Sequence, residues 1–194
     1  MATCSSTPAL FSYSSGNLCL SLCPNGLFAD NSTRSCSPTC PFGTYADNST
    51  YRCVSVCPTK PMMYGSNLTN TCVYSCSVSF DRYADNASRT CVINCPLGTF
   101  ADSVSRSCVD TCKSGYFAVN STKRCELNCP SGSFADSLSR VCVAVCPIDP
   151  ILYGDEASWT CKSSCPSGSY GNRLTQRCVY DSGTVSVCPA NYYS

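Results

Sequence analysis

Nine Cys-x3-Cys pairs constrain the fold of this chain more than any other feature of its sequence. They stand at 19/23, 36/40, 53/57, 72/76, 91/95, 108/112, 125/129, 142/146 and 161/165. The first Cys of one pair follows that of the previous pair at a period of either 17 or 19 in the sequence. A repeat of this kind predicts a tandem array of small modules that are all built in the same way.

The composition predicts cross-links in place of a large core. The chain has 194 residues, of which 21 are Cys and only 35 are Leu, Ile, Val or Phe. So few apolar side chains cannot form one large core, and this density of cysteine predicts disulfides. Because persistent disulfides require an oxidising compartment, we expect a secreted protein that is extracellular or at the cell surface. No apolar run is long enough to span a bilayer, so we expect no direct membrane insertion in this segment.

Charge and residue types exclude several classes of function. The net charge is +1, and no basic patch is interleaved with aromatics, so no nucleic-acid partner is expected. The chain has no His, and no acid/base or nucleophile arrangement converges in its sequence. We therefore expect no enzymatic activity, no catalytic residue and no cofactor.

The repeat reads as a β-hairpin module. In the copy CVINCPLGTFADSVSRSC (91–108), a turn precedes an aromatic and a small residue, and a polar tip precedes the next Cys. Short copies carry Gly three residues after the second Cys, whereas long copies make this bend with two extra residues. A unit this short cannot bury an apolar face alone, so we expect each aromatic to pack on the adjacent disulfide. The predicted fold is a small disulfide-rich β-hairpin tandem repeat, an elongated rod or solenoid-like array with little helix.

Two disulfide schemes fit the spacing. Bridges within each Cys-x3-Cys pair would strand Cys4 and close very tight rings. Bridges from the second Cys of one pair to the first Cys of the next use twenty cysteines, and we favour this scheme. It leaves Cys188 unpaired or available to another chain. Its bridges are Cys4–Cys19, Cys23–Cys36, Cys40–Cys53, Cys57–Cys72, Cys76–Cys91, Cys95–Cys108, Cys112–Cys125, Cys129–Cys142, Cys146–Cys161 and Cys165–Cys178.

The repeat also predicts the domain organisation. Residues 1–178 form the tandem repeats, the first one partial, 179–187 form an irregular insertion, and 188–194 begin a further, truncated repeat. Because both ends cut the repeat, we expect either a fragment of a longer array or terminal units completed by neighbouring chains. The second alternative predicts head-to-tail self-association into a filament.

Five copies carry an N-x-[ST] sequon at one repeat position, five residues before the first Cys. In a secreted protein such a loop accepts an N-glycan, so N-glycans are the predicted partners at these tips. The alternative is that the Asn and Ser or Thr only form an Asx or ST turn. The predicted N-glycosylation sites are Asn31, Asn48, Asn67, Asn86 and Asn120.

Other polar positions recur with the same register. Six Asp residues follow the small residue, and we interpret them as turn caps rather than a calcium or catalytic series. Cationic residues near the first Cys, with Trp159, are predicted to be exposed or cross-strand. Zinc is the competing interpretation of the cysteines, but the gap of three residues and the odd number predict no metal site. The Asp residues are Asp30, Asp47, Asp85, Asp102, Asp136 and Asp155, and the cations are Arg34, Arg89, Arg106, Lys123 and Arg140.

At CVINCPLGTFAD (91–102) and CELNCPSGSFAD (125–136) the chain resembles furin-like or growth-factor-receptor-type cysteine-rich tandem repeats. It is also similar to the cysteine-rich arrays of protist, ciliate-like surface proteins. Two cysteines per unit depart from the receptor pattern and favour a fibrous surface role. We expect a structural extracellular glycoprotein, a repeat protomer of a cell-surface or flagellar filament, coat or stalk. The alternative is a receptor or adhesin ectodomain that binds a partner through one face of the rod.

Overall fold

The chain folds into short β-strands joined by turns. The computed structural model describes Cys4, residues 9–13 and 18–180, and the backbone of Tyr192 and Tyr193, and these residues form no helix. The strands are β1 (Phe11–Tyr13), β2 (Leu18–Leu20), β3 (Phe28–Asp30), β4 (Ser35–Ser37), β5 (Tyr45–Asp47), β6 (Arg52–Val54), β7 (Tyr64–Ser66), β8 (Thr71–Val73), β9 (Tyr83–Asp85), β10 (Thr90–Val92), β11 (Phe100–Asp102), β12 (Ser107–Val109), β13 (Phe117–Val119), β14 (Arg124–Glu126), β15 (Phe134–Asp136), β16 (Val141–Val143), β17 (Tyr153–Asp155), β18 (Thr160–Lys162), β19 (Ser169–Asn172), β20 (Arg177–Tyr180) and β21 (Tyr192–Tyr193).

Within each compact unit, consecutive strands pair as antiparallel hairpins. We number the ten disulfide-closed segments of the chain as hairpins 1 to 10 in chain order, and β11 and β12 belong to hairpin 6. In hairpin 3, Tyr45 lies opposite Val54 and Ala46 lies opposite Cys53. The small residue of the repeat thus lies opposite the cysteine that closes its own hairpin. The predicted fold class, a small disulfide-rich repeat of β-hairpins, is confirmed.

Ten disulfides close the ten hairpins. Each bridge joins cysteines that are 13 or 15 residues apart, at Cα–Cα distances of 5.5 to 5.7 Å. The pairs are those of the scheme that joins the second Cys of one pair to the first Cys of the next. No bridge forms within a Cys-x3-Cys pair among the described cysteines. Cys188 lies outside the described residues.

The turn that opens each hairpin follows the length of the repeat. In the short copies Gly26 and its equivalents have φ of 82° to 84°, a conformation that favours glycine. There the carbonyl of Pro24 accepts from the amide of Leu27, three residues on. In the long copies the two extra residues widen the turn, so the carbonyl of Pro58 accepts from Met63, five residues on.

The chain divides into two compact units. Unit 1 contains residues 1–95 and 104–108, and unit 2 contains 96–103 and 109–194. In unit 1 the strands lie in the order β2-β1-β4-β3-β6-β5-β8-β7-β10-β9-β12. In unit 2 the order is β11-β14-β13-β16-β15-β18-β17-β20-β19-β21.

A recurring backbone hydrogen bond joins neighbouring hairpins within these units. The amide of Ala29, the small residue of β3, donates to the carbonyl of Tyr51 in hairpin 3 at 2.8 Å. Tyr51 has φ of 55°, and the residue at this position is left-handed in every hairpin from 2 to 10. The other bonds of this type are Ser12 to Arg34, Ala46 to Asn70, Gly65 to Arg89, Ala84 to Arg106, Ala101 to Lys123, Ala118 to Arg140, Ala135 to Trp159 and Gly154 to Gln176.

Successive hairpins within a unit point in opposite directions. The first strand of hairpin 2, β3, is parallel to β6, which is the returning strand of hairpin 3. A returning strand runs away from its own tip, so the tip of hairpin 3 points opposite to the tip of hairpin 2. The tips of alternate hairpins therefore lie on the same side of the sheet. We call each of the two lines of strand ends an edge of the sheet.

The core consists of small clusters at junctions between neighbouring hairpins of a unit. Tyr45 of hairpin 3 packs on the bridge between Cys57 and Cys72 of hairpin 4, together with Met63. Tyr64 packs in the same way on the next bridge. The expectation that each aromatic packs on the adjacent disulfide is confirmed at these junctions.

The last described strand differs from the inner ones. Tyr192 and Tyr193 pair antiparallel with Asn172 and Gly171 of β19. In the inner hairpins, the corresponding side of the first strand pairs in parallel with the returning strand of the next hairpin. The predicted irregular insertion spans residues 179–187. Its first two residues end β20, whereas 181–187 lie outside the described residues, so the role of the insertion stays a prediction.

Candidate functional site: the hairpin tips

The five predicted glycosylation sites occupy equivalent places at the tips of hairpins. In hairpin 3 the strand β5 ends at Asp47 and β6 begins at Arg52, so Asn48 is the first residue of the connecting turn. The sequon asparagines are all exposed, and each follows a buried residue that ends the first strand. The hairpin therefore fixes the backbone position of each Asn that would accept a glycan. The five residues are Asn31, Asn48, Asn67, Asn86 and Asn120.

A buried carboxylate organises most of these tips. Asp47, only 1% exposed, accepts hydrogen bonds from the amide and hydroxyl of Ser49 at 2.9 and 2.7 Å. Its other oxygen accepts from the Thr50 hydroxyl at 2.7 Å. Equivalent bonds form at Asp30, Asp85, Asp136 and Asp155, so the prediction of turn caps is confirmed for these residues.

At Asp30, Asp47 and Asp85 these hydrogen bonds favour the ionised form of the carboxylate. Burial alone would raise the pKa of Asp47, but the hydrogen bonds from Ser49 and Thr50 outweigh it and lower the pKa below its usual range. The pKa values of Asp30 and Asp85 are lowered for the same reason. In this ionised form the carboxylates accept the hydrogen bonds that hold the turn.

Asp155 has two further partners. Its carboxylate accepts from the Tyr180 hydroxyl at 2.6 Å and lies 3.0 Å from the Lys162 ammonium. Despite burial, hydrogen bonds from Ser158, Tyr180 and Lys162 lower the pKa of Asp155. The hydrogen bond to Asp155 in turn raises the pKa of Tyr180.

Some tips lack the carboxylate. In hairpin 10 the oxygen Oδ1 of Asn172 takes its place and accepts from the amide of Leu174 at 2.9 Å. Ser66 and Val119 occupy the position before Asn67 and Asn120. The Asp cap and the sequon are therefore separable features of the tip.

The sequon and the turn use different atoms. The hydroxyl of Thr50 serves the turn through Asp47, while Asn48 itself remains exposed. Asn67 is also positioned by the preceding hairpin, because Oδ1 of Asn67 accepts from the Tyr45 hydroxyl at 2.6 Å. Such a bond to Oδ1 leaves Nδ2, the glycan-bearing atom, pointing elsewhere. The turn role and the glycan role are thus compatible within one tip.

The alternating directions distribute the tips over two edges. In unit 1, the tips with Asn31 and Asn67 share one edge, and the tips with Asn48 and Asn86 share the opposite one. The repeat in sequence is uniform, so sequence reasoning missed this alternation. The missing information is the parallel register between neighbouring hairpins.

Several cationic residues lie across strands, against the preceding hairpin, instead of projecting into solvent. Arg89 lies over the ring of Tyr64 at 5.0 Å and donates to the carbonyls of Pro58 and Met63 at 2.8 and 2.6 Å. Of the two predicted alternatives, exposed or cross-strand, the second fits the half-buried Arg34, Arg89, Arg106 and Lys123, because each lies over an aromatic ring of the preceding hairpin. The first alternative fits Arg140 and Trp159, which are exposed.

A sequence signal for these contacts does exist. The stacking cation stands two positions before the Cys that closes its own hairpin, as Arg106 stands before Cys108. The ring on which it stacks, here Tyr83, is the repeated aromatic of the preceding hairpin. Arg89 and Tyr64 are related in the same way one hairpin earlier. The two positions belong to different copies of the repeat, so together they identify a contact between neighbouring modules.

The described cysteines offer no thiolate. All twenty are joined in disulfides, and only a thiolate binds zinc. Among the residues that the structure describes, no helix is long and apolar enough to span a membrane. The disulfides indicate an oxidising, extracellular type of environment.

Comparison with known proteins adds no relative. Neither a family model, nor a curated protein, nor a solved structure matches this chain.

Proposed function

We propose that this chain is a structural extracellular glycoprotein, a repeat protomer of a cell-surface or flagellar filament, coat or stalk. The observation that carries the proposal is the placement of five sequons on equivalent exposed hairpin tips of a disulfide-closed repeat. Disulfide formation and N-glycosylation both belong to the secretory pathway, so the two features support one another. We include in this proposal the resemblance of the repeat to the cysteine-rich arrays of protist surface proteins.

The glycans of unit 1 would line both edges of its sheet. Asn31 and Asn67 supply one edge, and Asn48 and Asn86 supply the other. Such a distribution favours a hydrated surface that resists proteases and leaves the faces of the sheet available. Self-association through such a face completes the proposed filament or coat.

The proposal includes no catalytic role for the carboxylates. Asp47 and its equivalents are buried and saturated by donors from their own turns. A general acid or base needs a carboxylate that reaches a substrate, which these tips do not provide.

The attachment chemistry requires a second reactant. Nδ2 of the Asn forms a bond to the anomeric carbon of a sugar carried on a lipid diphosphate, and it loses one proton. The sugar–phosphate bond breaks, and the lipid diphosphate leaves. The sequon hydroxyl, such as that of Thr33, is the recognition element of the acceptor.

The test is secretion from a eukaryotic cell followed by enzymatic release of N-glycans. Release converts each occupied Asn to Asp, and mass spectrometry of peptides then reports occupancy. We expect conversion at the five sequons, and Thr33→Ala should abolish it at Asn31 alone. The tip with Ser137, which lacks the Asn, is the internal control. Unmodified asparagines with free thiols would contradict the proposal. Electron microscopy of the same secreted protein tests whether it forms filaments.

A second candidate is a receptor or adhesin ectodomain. Phe42 is completely exposed, and Phe80 in the same unit is 58% exposed. Exposed aromatics of this kind are frequent in binding surfaces. If this function is correct, Phe42→Ser will reduce binding to a partner cell surface without changing glycan occupancy.

A further inference from the structure

A groove lies directly beside one sequon. It has a volume of about 390 Å³ in unit 1, and Asn48, Met63, Val73 and Tyr74 contribute to its lining. The parallel register of Ala46 with Thr71 explains this proximity, because the chain after β5 runs alongside the chain after β8. The groove is therefore built by two neighbouring hairpins, and the sequon Asn stands at its rim.

Tyr74 is the prominent side chain of this groove. It is 68% exposed, and it also lines a second groove of about 220 Å³ together with Met62 and Tyr64. Tyr74 therefore stands between two grooves of unit 1. An exposed aromatic face is a surface on which another apolar face gains free energy by packing.

We propose that the first sugars of an N-glycan on Asn48 occupy this groove and pack on the ring of Tyr74. This inference rests on the proposed function, because it requires that Asn48 is modified. A β-linked N-acetylglucosamine presents C–H groups on its faces, which match an aromatic ring, and polar groups at its edge. The hydroxyls of Ser49 and Ser75 line the same groove and suit that polar edge.

The neighbouring tips provide matched comparisons. At the equivalent position beside Asn31, the register of Ala29 with Arg52 places Ser55, which has no ring. Beside Asn67 the equivalent residue is Ile93, which is apolar but not aromatic. Among these three tips, only the glycan on Asn48 has an aromatic platform.

The consequence is a glycan that is held against the protein. A packed core is less accessible to an enzyme that cleaves it than a core that projects freely. The rate of enzymatic release under native conditions therefore measures the packing, site by site. A contact of this type is expected to slow release by about three- to tenfold.

The experiment compares release rates in the secreted glycoprotein and two variants. Tyr74→Ser gives the Asn48 tip the residue of the Asn31 tip, and Ser55→Tyr makes the reverse change. Both positions are exposed, so neither change disturbs the core. A disulfide peptide map of each variant confirms that the hairpins have closed.

We expect Tyr74→Ser to accelerate release at Asn48 by about three- to tenfold and to leave Asn31 unchanged. Ser55→Tyr should slow release at Asn31. An occupied Asn48 whose release rate is the same with Tyr74 and with Ser at this position would overturn the inference while the proposed function stands. An unoccupied Asn48 in the wild-type protein would overturn both at this site.

Discussion

Asp47 shows how one buried carboxylate organises a turn of four residues. Its oxygens accept three short hydrogen bonds from Ser49 and Thr50, and each satisfies a donor that the tip would otherwise leave to water. The same residue type recurs at this position because a short, charged acceptor fits the turn. Asn172 shows that a neutral acceptor can replace it.

The first prediction concerns acid. The pKa of Asp47 is lower in the folded protein than in the unfolded chain, as are those of Asp30 and Asp85. Their stabilisation is therefore fully present above the unfolded pKa of about 3.9 and is lost as the pH falls through the folded value. We expect a constant melting temperature from about pH 7 to 5 and a decline below about pH 4.

Asp47→Asn is the matched variant for this prediction. It keeps an oxygen acceptor, as Asn172 does, but it cannot titrate. Melting curves by circular dichroism across the pH range should show a weaker acid dependence in a variant that carries Asn at positions 30, 47 and 85. An acid dependence equal to that of the wild type would exclude these carboxylates as its cause.

The second prediction concerns Arg89, whose φ of 59° is costly for a residue with a side chain. Arg89→Gly relieves this strain but removes the hydrogen bonds to the carbonyls of Pro58 and Met63. Because bonds from a charged donor contribute about 1.5–3 kcal/mol, we expect a net loss of stability. Asn70→Gly changes the equivalent position, with φ of 51°, and should be neutral or stabilising. Thermal unfolding measures the change in stability for both variants. An equal change for Arg89→Gly and Asn70→Gly would contradict the role assigned to the Arg89 side chain.

At the scale of the hairpin, the small residue of the first strand determines how closely neighbours approach. A Cβ at Gly65 would collide with ring atoms of Tyr45, the aromatic of the preceding hairpin. Ala46 holds the equivalent position and packs against Phe28. At Gly65 there is thus no room for a side chain, and at Ala46 the position holds a methyl group, so in both cases the ring of the preceding hairpin packs close to the backbone of the next.

The third prediction follows from this contact. Gly65→Val should overpack the junction and cost about 1–3 kcal/mol of stability, although Val favours strands. Ser37→Val is the control, because the residue after the first Cys is already Val in several hairpins. Urea unfolding with intact disulfides measures both variants. Equal midpoints would show that the junction does not depend on this close approach.

Sequence reasoning predicted the hairpin and the packing of its aromatic on the adjacent disulfide, but not the register between neighbouring hairpins. The positions of Gly26 and the cysteines identified the turn and the bridge, because both are local constraints that a short segment carries in its own residues. The alternation of tips depends on the carbonyl of a left-handed residue such as Tyr51 in the next module, and no local pattern encodes that register. The stacking of Arg89 on Tyr64 was missed for the same reason.

For the whole molecule, the disulfides decide whether the chain folds. Each bridge closes a loop with a separation of 13 or 15 residues, which is worth about 3 kcal/mol in the chain-entropy model. Ten such contributions exceed the net stability of about 5–15 kcal/mol that is typical of domains. The separate small clusters, such as Tyr45 with Met63, cannot replace them.

The fourth prediction is that the reduced chain does not fold. After complete reduction and alkylation under denaturing conditions, the far-ultraviolet circular dichroism after return to buffer should be that of an unfolded chain. A reduced chain that regains the spectrum and the melting transition of the oxidised protein would show that packing alone specifies the hairpins.

The central claim is that each hairpin is closed by its own disulfide, and peptide mapping of the unreduced protein by mass spectrometry tests it most directly. Digestion between the cysteines should yield linked peptides whose cysteines are 13 or 15 residues apart, such as Cys40 with Cys53 and Cys57 with Cys72. Links within a Cys-x3-Cys pair, such as Cys53 with Cys57, or free thiols at these positions would contradict the account.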